Sequence, residues 1–394
     1  MTRNKINVVH LLPLLASMVA ITPLAIDMYL PAMPIIAKEL GTSTSAIQVS
    51  LSLYLAGYAL GMMMFGPIAD RIGRRKVALL GLVGFIITSL LLAFTESINQ
   101  FLSYRFLQAA FGSGATVVVP GIIRDLYKEH TAKGLSYVSL IMMVAPMIAP
   151  GIGSLILELS VWRTIFLGLT GYAILILLLV LWKLPRKLPL RSERNWLHEF
   201  ASNYKLVFSH PASRLNIISS MMGSFGFFCY ITTISFVYIE YFGISEGKFS
   251  ILFGANVVAL MITNIINSRV VERAGSAKML IIGTLIANFF ALWLVLVTIL
   301  DWSLYWTVGA LFPLIGSLAL ITVNSDGLIL NQFPQQTGTA TAVIGTLRFG
   351  SGALAGPILA LLFDGTPLNF AILMFASVAI VMIVQLIRRR ANLS

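Results

Sequence analysis

The chain has one cysteine, Cys229, so no intramolecular disulfide can brace it and it carries no paired-thiol redox motif. Charge is scarce as well. Asp, Glu, Lys and Arg make up 11% of the residues, against roughly 25% in soluble domains. There is no GxxxxGKS or GxxxxGKT loop to cradle phosphates, which removes ATP hydrolysis by a loop of this kind. The four histidines (His10, His130, His198 and His210) form no HExxH motif and join no cysteine cluster, so no metal site is expected. No polar stretch is long enough to house a soluble enzyme domain, and the chain is not read as an enzyme. The net charge of +12 does not indicate a nucleic-acid partner, because it lies in short loops where membrane topology and anionic headgroups account for it.

What is abundant is hydrophobic sequence, at 58% of the chain. A soluble core could not bury that much, so most of it must face lipid or other helices. A hydrocarbon slab of about 30 Å needs roughly 20 apolar residues per helix. The expected spans are 8–34, 45–69, 76–95, 100–123, 134–158, 163–184, 214–240, 248–268, 277–299, 302–325, 337–362 and 368–387, twelve in all. The first run is too long for the apolar stretch of a cleaved signal and leads directly into Pro-containing helix sequence, so it is read as a span. Of 27 Lys and Arg residues, 22 fall on the side that holds both ends of the chain and the central segment. By the positive-inside rule, both termini are expected in the cytoplasm. The expected class is therefore an all-α integral membrane protein of twelve transmembrane helices.

Residues 66–76, GPIADRIGRRK, recur in degenerate form as SRVVERAGSAK at 268–278. The offset of 202 aligns Asp70-Arg71 with Glu272-Arg273, Gly73 with Gly275 and Lys76 with Lys278. A repeat at half-length in a membrane chain points to a transporter of two packed bundles. The domains expected are a six-helix bundle at 1–184, a cytoplasmic linker at 185–213 and a second six-helix bundle at 214–394. In the linker, Trp196, Phe200, Tyr204 and Phe208 recur at steps of four, the pattern of an amphipathic surface helix.

Few polar residues interrupt the spans. Asp27 stands in TPLAIDMYLPAMP with no cation near it in sequence. A charge at depth costs at least about 2.5–3.5 kcal/mol, so a carboxyl there has reason to exchange a proton for a cationic or polar ligand. The alternative places Asp27 at the outer interface. Arg105 in SYRFLQAAFGSGA keeps its proton and needs acceptors if buried; it is either a fixed charge tuning the proton site or an arginine snorkelling to the interface. Arg348 in GTLRFGSG is a second cation within a span, and function and structural hydrogen bonding are equally open for it. Tyr29, Tyr54 and Asn256 are weaker candidates for a cavity wall, with Asp27 and Arg348 beside them as substrate-binding candidates. Pro23, Pro31 and Pro34 in the first span, and Pro146, Pro150, Gly151 and Gly153 in the fifth, supply kinks to a bundle that must bend or rock. In the basic loop, Gly66, Asp70, Arg71, Gly73, Arg74 and Arg75, with Asp125, Glu272 and Arg273, form a candidate latch. Its ion pairs could hold the two halves together.

With these residues in view, GPIADRIGRRK resembles the signature loop of the major facilitator superfamily, and RFLQAAFGSGA resembles that family's fourth-helix motif. APMIAPGIG followed by VWRTIF is similar to its antiporter motif, although the usual Gly-Pro-x-x-Gly-Gly is not intact. More narrowly, AIDMYLPAMP, RDLY, SFVYIE, NSRVVERAG and FPQQTGTATAVIGTLRFGSGA resemble the bicyclomycin-resistance and chloramphenicol-efflux branch of proton-coupled drug antiporters, over residues 20 to 355 or so. The resemblance implies two pseudo-symmetric six-helix bundles, acting as a monomer in the bacterial inner membrane. It implies efflux of small lipophilic drugs by alternating access, driven by a proton gradient with no cofactor. Asp27 would handle proton and substrate, with Arg105 beside it. Val19 occupies the level at which some relatives carry a second carboxylate, which leaves one proton site in the first helix. The alternative function is proton-coupled transport of a single small metabolite.

Overall fold

Inside a bilayer no water is available to the backbone, so each N–H and C=O must find a partner within the protein, and a helix supplies them along its own length. In a computed structural model describing residues 11–127, 131–185, 202, 205, 208, 211–333 and 337–391, the chain is built of helices, with no strand among the described residues. Eleven helices in that set are long and apolar enough to cross a membrane. The expected fifth span, 134–158, lies within a further 29-residue helix, Thr131–Leu159. The segment holding Trp196, Phe200 and Tyr204 lies outside the described residues.

In chain order the helices are α1 (Leu12–Asp27), α2 (Met33–Glu39), α3 (Thr44–Ile72), α4 (Arg74–Ala93), α5 (Ile98–Val117), α6 (Val119–Tyr127), α7 (Thr131–Leu159) and α8 (Arg163–Lys183). After the linker come α9 (Pro211–Ser235), which runs on as a π-helix through Phe236–Tyr241, then α10 (Glu246–Ala274), α11 (Ser276–Ile299), α12 (Leu304–Gln332), α13 (Thr337–Ala353), α14 (Ala355–Leu361) and α15 (Leu368–Arg390). Two compact units emerge. One holds Met1–Ile36 and Gly57–Arg194; the other holds Ala37–Ala56 and Asn195–Ser394. The early part of α3 belongs to the second unit through specific bonds: the Gly356 N–H donates to Ser52 Oγ at 2.7 Å, and Thr44 Oγ1 donates to Glu240 Oε1 at 2.7 Å.

Several boundaries differ from the expected spans, three of them for a plain local reason. The first span is broken after Asp27, with a 3-10 turn at Leu30–Ala32 before α2. Pro31 and Pro34 lack the N–H groups that would continue the ladder. The fourth span ends α5 at Val117 and restarts as α6, because Pro120 removes another donor. The basic loop is almost no loop at all: α3 runs to Ile72 and α4 begins at Arg74, leaving Gly73 between them.

Gly73 carries that junction because its backbone sits at φ 99°, ψ 137°, a region closed to side-chain-bearing residues. Gly275, its counterpart in the repeat, sits at φ 79°, ψ 147° between α10 and α11. Two of the hydrogen bonds recur across the offset of 202. Gly73 N donates to Ala69 O at 3.0 Å and Gly275 N to Val271 O at 2.8 Å; Val77 N donates to Gly73 O at 3.3 Å and Met279 N to Gly275 O at 3.2 Å. The repeat read from sequence is thus a repeat of backbone geometry. A Cβ on Gly275 would meet nothing within 4 Å, so Gly275→Ala isolates the conformational cost. We expect it to destabilise the fold by about 1–3 kcal/mol, measured as a lower melting temperature in detergent.

Candidate functional site

Asp27 is the last residue of α1 and only 3% exposed. Its Oδ1 is buried with no hydrogen-bond partner among the described residues. The kink that ends α1 therefore presents a carboxylate inside the first unit rather than to the headgroups. Buried carboxylates are ordinarily paired or hydrogen-bonded, and an oxygen without a partner points to a ligand or proton that comes and goes.

Arg105 on α5 is fully buried, at 0% exposure, which removes the snorkelling alternative. Its Nη1 donates to Ala25 O at 3.1 Å and to Gln108 Oε1 at 2.6 Å. Gln108 Nε2 passes the chain on to Ser89 Oγ of α4 at 2.8 Å. The last carbonyls of a helix lose their intrahelical donors, and Ala25 lies in the last turn of α1. Arg105 thus ties down the turn that carries Asp27. The guanidinium carbon also lies 4.2 Å from the Tyr29 ring centroid and 5.9 Å from that of Phe166, a cation over aromatic faces. Tyr29, expected on a cavity wall, is instead 0% exposed and packs in an aromatic cluster with Phe101 and Phe166.

The antiporter-like segment on α7 meets α1 at the same place. A Cβ built on Gly153 would lie 1.9 Å from Met28 O, so the two backbones touch one residue after Asp27. Gly151 has open space around it. Pro146 and Pro150 lie inside α7, about two turns and one turn before Gly153. Of the four motif residues, Gly153 is the one whose lack of a side chain the packing requires.

The candidate latch resolves into a local arrangement. Arg74 is buried, pairs with Asp125 and donates to Gly121 O at 3.0 Å; Arg75 donates to Leu181 O at 2.8 Å. These contacts tie the start of α4 to α6 and to the end of α8. The expectation that Arg74 and Asp125 join the two halves is corrected: both lie in the first unit, because the break before Pro120 turns α6 and brings Asp125 to the α4 terminus. Arg71, Glu272 and Arg273 are exposed and Gly66 is half-buried. The Asp70 side chain lies outside the described set.

Tyr54, Asn256 and Arg348 belong to the second unit. Tyr54 is fully buried. Asn256 on α10 donates to the Tyr230 hydroxyl at 3.0 Å, and the Tyr230 ring stacks on Phe253 with centroids 5.8 Å apart. Arg348 on α13 pairs with Asp326, and the Ser220 hydroxyl of α9 donates to the other carboxylate oxygen at 2.6 Å. Asp326 was not a candidate in the sequence, since the expected span stopped at 325. The helix in fact continues to Gln332. The apolar run Leu328-Ile329-Leu330 after Gly327 was the signal that it would. Tyr230 and Phe253 were likewise missed, being ordinary helix residues until their partners are known.

The Major Facilitator Superfamily model matches residues 15–357. The chain belongs to the major facilitator superfamily. It is 32% identical over 347 residues to a bicyclomycin resistance protein homolog of Haemophilus influenzae, covering 86% of this chain and 85% of that one. It is also 32% identical over 371 residues to a chloramphenicol resistance protein of Pseudomonas aeruginosa, covering 88% and 82%. The fold is similar to that of the E. coli xylose transporter XylE in a partially occluded inward-open conformation, with a TM-score of 0.71, 13% identity and 96% of each chain covered. The protein is a multi-pass membrane transporter and not an enzyme.

In this superfamily member, three substitutions test the packing around the α1 break. Gly153→Ala forces α7 off the Met28 carbonyl and is expected to lower both melting temperature and transport, whereas Gly151→Ala leaves both near wild type. Arg105→Lys keeps the charge but loses the planar stacking and the fork of donors. A loss of about 1.5–3 kcal/mol of stability, read by thermal melting, is the expected result.

Proposed function

We propose that the protein is a proton-driven exporter of small lipophilic drugs, bicyclomycin or phenicols among them, across the bacterial inner membrane by alternating access. The observation that supports this reading most directly is the buried, unpartnered Asp27 oxygen at the break in α1, held by Arg105 through Ala25 and crossed by Gly153. The relatives named for bicyclomycin and chloramphenicol resistance support the substrate class. The positive-inside distribution supports cytoplasmic termini.

In this mechanism a drug entering from the cytoplasm or inner leaflet displaces the proton from Asp27. The carrier then turns outward and releases the drug, and Asp27 takes a proton from the periplasmic side. The neutral carboxyl is cheaper to carry through the low-dielectric interior than the charged one, so the empty carrier returns. Arg105 holds the α1 turn while the carboxyl changes charge, and no cofactor enters the cycle. The carrier acts as a monomer.

Asp27→Asn removes the exchangeable proton while keeping the shape. Everted vesicles bearing the variant are expected to show no drug-evoked proton movement and no gradient-dependent drug accumulation. Full proton-coupled export by Asp27→Asn would sink the mechanism. Overexpression of the wild type in an efflux-deficient bacterium is expected to raise resistance to bicyclomycin or phenicols.

A further inference from the structure

In the first unit Asp27 is the carboxylate that the exporter reading uses. The second unit contains another that the mechanism above does not use. Asp326 is inside α12, six residues before its end, whereas the other described carboxylates of that unit stand at or near helix ends or in loops (Glu39, Glu240, Glu246, Glu272, Asp301 and Asp364). Three helices converge on it. Arg348 of α13 pairs with one oxygen and Ser220 of α9 donates to the other.

Around this triad lie polar groups that the protein does not itself satisfy. Both amide atoms of Asn216 are buried without a partner among the described residues, as are Ser325 Oγ and Arg348 Nε. Ser213, Asn216 and Ser220 follow one another at helical spacing along one face of α9, starting beside the linker. Ser213 donates to Gln332, at the end of α12. Buried polar groups without protein partners are the ordinary lodging of ordered water. These groups run from the linker end of α9 toward the Asp326 carboxylate, a file of sites suited to water.

We propose that Asp326 is a second proton-binding site, so that the carrier exchanges two protons per cycle, one on Asp27 and one on Asp326. This rests on the exporter reading above. A proton arriving along the α9 file adds to a carboxylate oxygen of Asp326 and breaks its ion pair; Arg348 keeps its own proton. Breaking a buried pair is costly when it strands a charge. Here the side chain that becomes unpaired is the more exposed one, with Arg348 at 35% against 19% for Asp326, so the guanidinium can turn toward water. The helices packed on α12 carry other titratable groups: Arg214, Cys229 and Tyr230 on α9, Glu246, Lys248, Arg269, Glu272 and Arg273 on α10, and Lys278 on α11. Arg348 is the charge that meets Asp326.

The test is a stoichiometry measurement on the full-length protein in proteoliposomes, with membrane potential clamped and chloramphenicol or tetraphenylphosphonium as probe. The logarithm of the steady-state drug ratio is plotted against the imposed pH difference. Since each exchanged proton contributes one unit of slope, the wild type is expected near a slope of about two. Because Asp326→Asn alone strands Arg348, the decisive variant is Asp326→Asn with Arg348→Gln, a neutral hydrogen-bonded pair. Its expected slope is about one. A wild-type slope of about one, or a double variant that keeps the wild-type slope, overturns this proposal alone and leaves the pair as a structural tie. A wild type that moves neither probe along the gradient overturns the exporter reading and this one with it.

Discussion

A helix that breaks inside a bilayer leaves backbone groups where no water can reach them, and the first unit depends on how one such break is satisfied. After Asp27 the ladder of α1 gives way to a single 3-10 turn, with Ala32 N donating to Tyr29 O at 2.9 Å. The carbonyl of Ala25 in the last turn is claimed from another helix by Arg105. That guanidinium cannot lose its charge, so it in turn needs Gln108, Ser89 and the faces of Tyr29 and Phe166. Four helices are committed to one turn of backbone. The consequence is a carboxylate at a defined place with an oxygen left over.

The two halves repeat one scaffold and diverge in charge. Gly73 and Gly275 adopt the same backbone region and make equivalent hydrogen bonds, so the inherited unit includes the turn between two helices. The charges inside the spans do not follow the repeat. In the first unit Arg105 supports backbone and Asp27 has no ion pair with it among the described residues. In the second, Arg348 and Asp326 neutralise one another. A pair of that kind contributes little net stability when set against apolar packing, whereas the Asp27 oxygen is left without a partner among the described residues. The asymmetry is where function separates from architecture.

Much of this was legible along the chain. Hydropathy marked the spans, the 202-residue offset marked the repeat, and Asp27 and Arg105 stood out as charges in apolar sequence. Each of these is a property of composition or near-neighbour spacing. Illegible were the partners. Arg105 bonds to a carbonyl 80 positions away and Arg348 to an acid 22 away. The span ending at 325 hid Asp326 because Gly327 reads as a stop, while the packing of α12 against α9 and α11 carries the helix past it.

By itself, then, the amino-acid order determined that the chain crosses a membrane many times, that one half repeats the other, and which few charges interrupt the spans. These follow from transfer free energies and helical period, which act residue by residue. Tertiary structure alone decided that Arg105 is buried rather than snorkelling, that Arg74 and Asp125 close a contact within one unit, and that Arg348 meets Asp326. A buried charge is defined by what surrounds it, and its surroundings come from helices that are distant in sequence and adjacent only once folded.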